Sequence, residues 1–491
     1  MKKTTIIGGG FAGLSTAAQL AKRGYNVSII EKNLQIGGRA RQFSSNDFIF
    51  DMGPSWYWMP DVFEKFFNQF NKSASDYFDL IKLDPGFQMI FSNHETISIP
   101  ASYTKLEELF EQIEPGSANK LKKFMDEAKF KYEFSMDSLI YEPGISFNEL
   151  FKKEIFKNLF KLQIFSSYKK HVANYFKNKK IRTLLEFPVL FLGTAPKETP
   201  ALYSLMAYSG FIQGTYYPMG GFHKVIDGMK KLCEELGVKI HTNEDVQKIH
   251  IHNNKAYQIE TQTKKYESDI IVASADYHHV ENKLLDKKYR NYSEKYWNKK
   301  IFSPSCLLFY LGINKKLKKL IHHNLFFDAD IEQHIKDIYT DKNWPENPLF
   351  YACCPSKTDL TVAPEGQENL FLLIPISPGS NDNNHIREKY FKLMIKRLEK
   401  YCGQNIMDAI IYKKSYCIND FKNDYNAYKG NAYGLANTLF QTANFKPSIF
   451  NKNVSNLYYT GQLTVPGPGV PPSLISGQVV AKLIAQKHKI K

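Results

Sequence analysis

At 491 residues the chain is too long for one ordinary domain, and its 43% hydrophobic and 23% charged residues exclude a disordered or fibrous protein. With 65 Lys and Arg against 49 Asp and Glu, the formal net charge of +16 favours anionic partners: membrane surfaces, nucleic acids or acidic ligands. No zinc-finger spacing or RNA-recognition signature is present, so nucleic acid is not expected; the six cysteines form no C-x-x-C pair, so no disulfide framework or metal site is expected either.

Lys3 to Ile7 reads as a short buried strand. Phe11 to Arg23 reads as a helix with Leu14, Ala17, Ala18 and Ala21 on its inward face, closed by Gly24. Asn26 to Glu31 alternates like a second strand, completing a strand–helix–strand unit. Lys2 and Lys3 ahead of an apolar stretch imitate a signal peptide, but the glycines at 8, 9, 10 and 13 belong to a fingerprint that cleavage would destroy. No run of about 18 consecutive apolar residues follows. A cytoplasmic protein with peripheral membrane contact is therefore expected.

From Asp61 to about Gly214 the pattern is mostly helical and rich in Lys, Phe and Glu. Strand patterns return at Val238–Ile240, Val246–His252, Ala256–Thr261 and Ile270–Ala275, then at 304–313 and 368–376. Leu457–Thr460 reads as a strand, followed by a Gly/Pro loop and a helix from about Ser473 to Lys487. The aromatic share of 14% is high; it fits a Phe-rich core or a tunnel for an apolar ligand.

Gly8-Gly9-Gly10-Phe11-Ala12-Gly13 satisfies G-x-G-x-x-G between a strand and a helix, and Glu31 closes the second strand. That context predicts a dinucleotide site. Gly8 permits the turn, Gly10 lets backbone approach a pyrophosphate, and Gly13 lets helix pack on strand. The helix N-terminus offers N–H groups to the phosphates, and Glu31 can accept from the adenosine ribose.

Ile36-Gly37-Gly38-Arg39 follows directly. This step resembles the flavoprotein family of amine oxidases, protoporphyrinogen oxidase and carotenoid desaturases. The resemblance implies FAD, with Gly38 and Arg39 at its pyrophosphate and Arg41 suited to the same purpose. It also implies that Gly53 and Pro54, in Asp51-Met52-Gly53-Pro54-Ser55, lie near the isoalloxazine. No second strand–G-x-G-x-x-G–helix unit for a nicotinamide follows, so oxygen, a quinone or another diffusible acceptor is expected to take the electrons.

Tyr459-Thr460-Gly461-Gln462 and Pro468-Gly469-Val470-Pro471-Pro472-Ser473 are similar to the C-terminal signature of bacterial phytoene desaturases, as Tyr216-Tyr217-Pro218-Met219-Gly220-Gly221 is to a central block of that family. The likeness implies that Gly461, Gln462, Val470 and Pro471 close over the flavin and that Val246 meets the adenine. It implies an α/β fold: a Rossmann-type FAD-binding domain from 1–60, 215–300 and 425–491, with an inserted α+β substrate domain from 61–214 and 301–424. It further implies desaturation of a linear C40 precursor, phytoene to lycopene. Another flavin oxidoreductase of the superfamily, or a prenyl-lipid-binding protein of the same fold, stands as the alternative.

Each buried CH₂ is worth about 0.8 kcal/mol, so forty carbons disfavour free water by on the order of 30 kcal/mol. Such a substrate comes from a membrane. Within the segment 145–185, residues 151–182 carry ten Lys or Arg and one acid, with Phe151, Phe156, Phe160, Phe165 and Phe176 interleaved, which suits an anionic bilayer. Related desaturases carry an Arg-Asp pair near here; this chain has Phe147-Asn148-Glu149 and Lys152 instead, leaving Glu149 as the candidate catalytic carboxylate. His223, His278 and His279 are expected to be structural.

Overall fold

The computed structural model describes residues 1–92, 95–146, 149 and 153–489. Phe147, Asn148, Phe151 and Lys152 lie outside them.

A five-stranded parallel sheet runs in the order Leu457–Tyr459, Ile270–Ala273, Lys3–Ile7, Asn26–Ile30, Lys239–His241. Its two faces are covered differently: Ile6, Val27, Ile29, Ile270 and Val272 pack under helices, whereas Ile7, Ile30, Ile271 and Ala273 pack against Val246, Ile249, Ala256 and Ile259 of a small antiparallel sheet. The first helix, Phe11–Lys22, is buried from Phe11 to Leu20, all round and not only on the face its periodicity predicts. The cause is the C-terminal helix, Val470–Lys487, which crosses it at Gly477: a Cβ there would stand 2.5 Å from the Ala12 carbonyl oxygen. Ser15 Oγ donates to the Leu474 carbonyl across the same crossing at 2.7 Å. A three-stranded antiparallel sheet, Val246–His252, Lys255–Thr261 and Lys265–Glu267, precedes the Ile270 strand.

The second large sheet has seven strands, in the order Ile410–Tyr416, Ser305–Ile313, Glu368–Ile376, Phe350–Cys353, His323–Phe327, Phe87–Phe91, Thr96–Ile99. All pairs are antiparallel except His323–Phe327 with Phe87–Phe91. The strand period of two divides its side chains cleanly. Leu307, Phe309, Leu311, Leu370, Leu372 and Phe326 pack with Phe391, Met394 and Leu398 of the helix Asn384–Cys402. Their alternates Cys306, Leu308, Tyr310, Phe371, Leu325 and Tyr351 join the core shared with the first helix. Burying a Leu or Phe contributes roughly 1.5–3 kcal/mol, so this two-faced register strongly disfavours a one-residue slip.

The stretch expected to be mostly helical holds three strands: Leu80–Lys82, Phe87–Phe91 and Thr96–Ile99. Phe87–Phe91 is buried at every position, so no alternation marks it; it pairs locally with Thr96–Ile99 and, on its other edge, with His323–Phe327 more than 230 residues away. Helices fill the remainder: Tyr103–Ile113, Ser117–Ser138, Lys153–Leu162, Tyr168–Tyr175 and Lys179–Glu186. The C-terminal helix begins at Val470 rather than near Ser473, because Pro471 and Pro472 sit in its first turn, where a missing N–H costs nothing.

Candidate active site

A cavity of about 400 Å³ runs between the two large sheets. One end is built from strand termini of the parallel sheet. Gly8 and Gly10 follow the first strand, Glu31 to Asn33 the second, and Ser274 to Asp276 the fourth; Glu244, Asp245 and Val246 close the side. Ligands in open parallel sheets bind at such carboxyl ends, where the strand order reverses.

The glycines divide the work. Gly13 has no room for a side chain: a Cβ would lie 2.1 Å from the Gly8 carbonyl oxygen. Gly10 has room, its nearest neighbour to a Cβ being the Gly38 Cα at 3.9 Å, and it lines the cavity. Its missing side chain leaves space for a ligand, not for packing. No side chain caps the first helix, so its N-terminal dipole and N–H groups face the same space. Glu31 is buried; Oε2 accepts the Gly9 N–H at 2.8 Å, and Oε1 accepts both the backbone and side-chain N–H groups of Asn33.

Arg39 lines the cavity beside Gly38, and burial holds its pKa below the ordinary guanidinium value. Its Nη2 donates to the Asn431 carbonyl at 3.2 Å, and its Nε is buried without a partner. With the Gln462 amide turned so that its oxygen faces the guanidinium, that oxygen accepts from Nη2 at 2.9 Å. Arg41 behaves differently: it pairs with Asp424 and does not line the cavity. Gly53 and Pro54 lie on the wall with Met52 and Ser55. Asp51 instead accepts the Phe222 and His223 N–H groups at 2.6 and 3.1 Å, docking the Tyr216–Gly221 block from behind. Gly461, Gln462, Val470 and Pro471 form the opposite wall; the Gly461 N–H is held by Ser476 Oγ at 3.0 Å.

The structure does not bring Glu149 to this cavity. Its carboxylate accepts the N–H groups of Gly144, Ile145 and Ser146 at 2.8, 3.0 and 3.0 Å, anchoring their loop. The carboxylate expected to act as a base is thus engaged by its own loop, and Glu149 is not among the residues that line the cavity. His279, expected to be structural, lines the nucleotide end and lies 3.3 Å from the Asn426 amide. No local motif marks it, since Asn426 is remote in sequence. His223 hydrogen-bonds the Ala40 carbonyl, and His278 pairs with Glu294.

The far end of the cavity is apolar and aromatic, lined by Trp56, Trp58, Met206, Leu308, Leu325, Tyr351, Phe371, Leu373 and Tyr433. Behind Tyr351 lie His322, His323 and Cys353, whose ligand-type atoms fall within 4.8 Å of one another. Sequence spacing gave no sign of this cluster, because strand pairing places His323 opposite Cys353. Burial pushes the Cys353 thiol up to about 12 and holds His322 down to about 3, so the group is neutral.

A glycine-cradled strand-to-helix turn, a buried carboxylate, a guanidinium with a free Nε–H and an adjoining apolar chamber suit a flavin-dependent oxidoreductase. The chain matches the model of the flavin containing amine oxidoreductase family over residues 11–485. It is 38% identical over 484 residues to a carotenoid 3,4-desaturase of Haloarcula japonica, covering 98% of each chain. It is 32% identical to a 4,4'-diapophytoene desaturase of Staphylococcus haemolyticus, again over 98% of each. A zeta-carotene-forming phytoene desaturase of Myxococcus xanthus matches at 27%, over 98% of this chain and 93% of the relative. Among solved structures, a Methanosarcina mazei oxidoreductase superposes with a TM-score of 0.62 at 18% identity, over 98% of this chain and 100% of that one. Putrescine oxidase gives 0.63 at 12%, over 99% of each. The chain belongs to the flavin containing amine oxidoreductase family and, within it, groups with the carotenoid desaturases.

Proposed function

We propose that the nucleotide end holds FAD and that the protein desaturates a linear C40 carotenoid precursor, phytoene in the first instance, toward lycopene. One observation carries this reading: the cavity passes without interruption from Glu31 and Arg39 to a wall of Trp56, Leu308, Leu325, Phe371 and Leu373. A hydrocarbon in the apolar end therefore lies against whatever ring system extends from the nucleotide end. The named relatives act on several carotenoid precursors, which supports the substrate class.

The chain's own residues fit FAD. Gly10 leaves open space at the pyrophosphate position, the Arg39 guanidinium supplies charge and a spare Nε–H, and Glu31 retains lone pairs for a ribose. Bound flavin supplies a two-electron acceptor that takes a hydride from carbon. The protein's share is to hold the polyene, exclude water from the apolar end, and receive the accompanying proton. Electrons then pass to oxygen or a quinone.

Phe160 and Phe165 are 92% and 80% exposed on or beside the helix Lys153–Leu162, with Lys157, Lys161 and Lys170 exposed nearby. Phe176, by contrast, is fully buried and belongs to the core. Phe440 and Phe445 add a second exposed aromatic pair. These side chains suit peripheral docking on an anionic bilayer, from which the substrate is drawn. Lys157→Glu with Lys170→Glu weakens sedimentation with phosphatidylserine vesicles; unchanged sedimentation removes the docking surface.

Expression in cells that accumulate phytoene tests the activity. The expected result is loss of phytoene and growth of longer conjugated polyenes. Unchanged phytoene in cells containing the folded, yellow protein rejects phytoene as substrate.

A further inference from the structure

At the apolar end of the cavity the wall carries a few proton-bearing side chains: Ser55, Trp56, Trp58, Cys306, Tyr351 and Tyr433. The Cys306 thiol is pushed up to about 12 by burial and is no base at neutral pH. Trp58 Nε1–H is committed to Thr215 Oγ1 at 2.9 Å, and indole has no lone pair to offer. Tyr351 differs because an imidazole stands behind it. Its hydroxyl lies 2.6 Å from His323 Nδ1 and 2.9 Å from Ser55 Oγ. His323 is fully buried and stacked on Trp56, with ring centres 4.2 Å apart and planes 12° apart. The stack and strand pairing hold the imidazole edge toward the phenol. His323 Nε2 is buried without a partner, so the ring gains nothing structural from that side. A polar chain of this kind is costly on a wall otherwise built for hydrocarbon.

We propose that Tyr351 receives the proton that leaves the substrate during desaturation, passing its own hydroxyl proton to His323 Nδ1. This rests on the function proposed above. On one carbon a C–H bond breaks and hydrogen leaves with both electrons to the oxidised flavin. On the neighbouring carbon a C–H bond breaks, its electron pair closes the new C=C, and the proton passes to Tyr351 Oη. The phenolic proton moves at the same time to His323, which becomes imidazolium and later returns it through Tyr351. The substrate loses two electrons and two hydrogens; the flavin gains the hydride. Ser55 is a positioning residue, fixing the phenol's orientation.

The test is anaerobic single-turnover mixing of the flavin-loaded protein with phytoene in vesicles, followed by flavin bleaching. Tyr351→Phe is expected to slow bleaching by about 10²–10⁴-fold, the usual worth of a positioned proton acceptor, while FAD affinity and dithionite reduction stay unchanged. His323→Asn is expected to slow it comparably and to abolish a solvent deuterium isotope effect that the unmodified protein shows. ¹⁵N-histidine spectra of the resting protein should show an acceptor-type Nδ1 on His323 whose shift moves in Tyr351→Phe. Tyr351→Phe bleaching at the unmodified rate, or a protonated Nδ1, overturns the assignment while leaving the desaturase reading intact. No bleaching of the unmodified protein by phytoene overturns the substrate reading and this assignment with it.

Discussion

The Arg39 guanidinium lies 5.1 Å from the centre of the Tyr425 ring, and its Nε is buried with no hydrogen-bond partner. Among the described residues it forms no ion pair, whereas Arg41, over the same ring at 5.2 Å, is paired with Asp424. The buried Asp276 carboxylate acts on Arg39 without forming an ion pair, so an anionic ligand at the free Nε–H stabilises the guanidinium further. Arg39→Ala is therefore expected to raise the FAD dissociation constant about 10–100-fold, as loss of a charge-assisted hydrogen bond does. Arg41→Ala should change FAD affinity little and lower thermal stability instead. Fluorescence titration and thermal melts of both variants check the contrast.

Gly10 and Gly13 should separate binding from folding. Gly10→Ala places a methyl in open space at the cavity wall, so its melting temperature should hold while flavin is lost. Gly13→Ala forces a Cβ against the Gly8 backbone at 2.1 Å and should cost at least about 1–3 kcal/mol of stability. Absorbance at the flavin band, set beside denaturant unfolding, reads both.

Glu149→Gln should leave the rate of flavin reduction by substrate unchanged. Its carboxylate is spent on three backbone N–H groups, so the loss appears as faster proteolysis of the 144–146 loop. A collapse of desaturation with an intact loop would restore it as a base.

Stability should fall as pH rises from about 4.5 to 7. Burial, the largest cause, raises the Glu186 carboxyl from 4.5 to about 7; Lys169 opposes the shift, Glu332 adds to it, and Arg182 opposes it. In that window the folded state keeps a proton that the unfolded state has released, so each pH unit favours unfolding. Below about 4.5 both states are protonated and the penalty vanishes; above 7 it is complete. Glu186→Gln removes this group's dependence and should gain about 2–3 kcal/mol at pH 8. Urea unfolding of both proteins at pH 5 and pH 8 measures the difference.

The nucleotide end was legible because its signals are local. A strand, three spaced glycines, a helix and an acid follow within thirty residues, and Gly13 and Gly10 are needed for reasons that backbone sterics alone supply. The seven-stranded sheet was not. Phe87–Phe91 is buried on both faces, so no periodicity marks it, and the pairing that inserts it and Thr96–Ile99 into the sheet is with the remote His323–Phe327. Tyr351 and His323, 28 residues apart, meet because the strands His323–Phe327 and Phe350–Cys353 pair, and no motif links them. Charge spacing likewise could not tell Arg39 from Arg41, since the difference lies in Asp424, more than 380 residues on. Glu149 is the nearest carboxylate to the position of the family's Arg-Asp pair, but nothing in the local sequence shows that it accepts its own loop's amides.

The proposed activity requires a flavin seated between Gly10, Arg39 and the Gly461 loop. Titration of FAD into flavin-stripped protein tests this most directly. The expected result is saturable quenching of flavin fluorescence at one FAD per chain, at least about tenfold weaker in Arg39→Ala. A folded, monodisperse protein that leaves FAD fluorescence unchanged would contradict it.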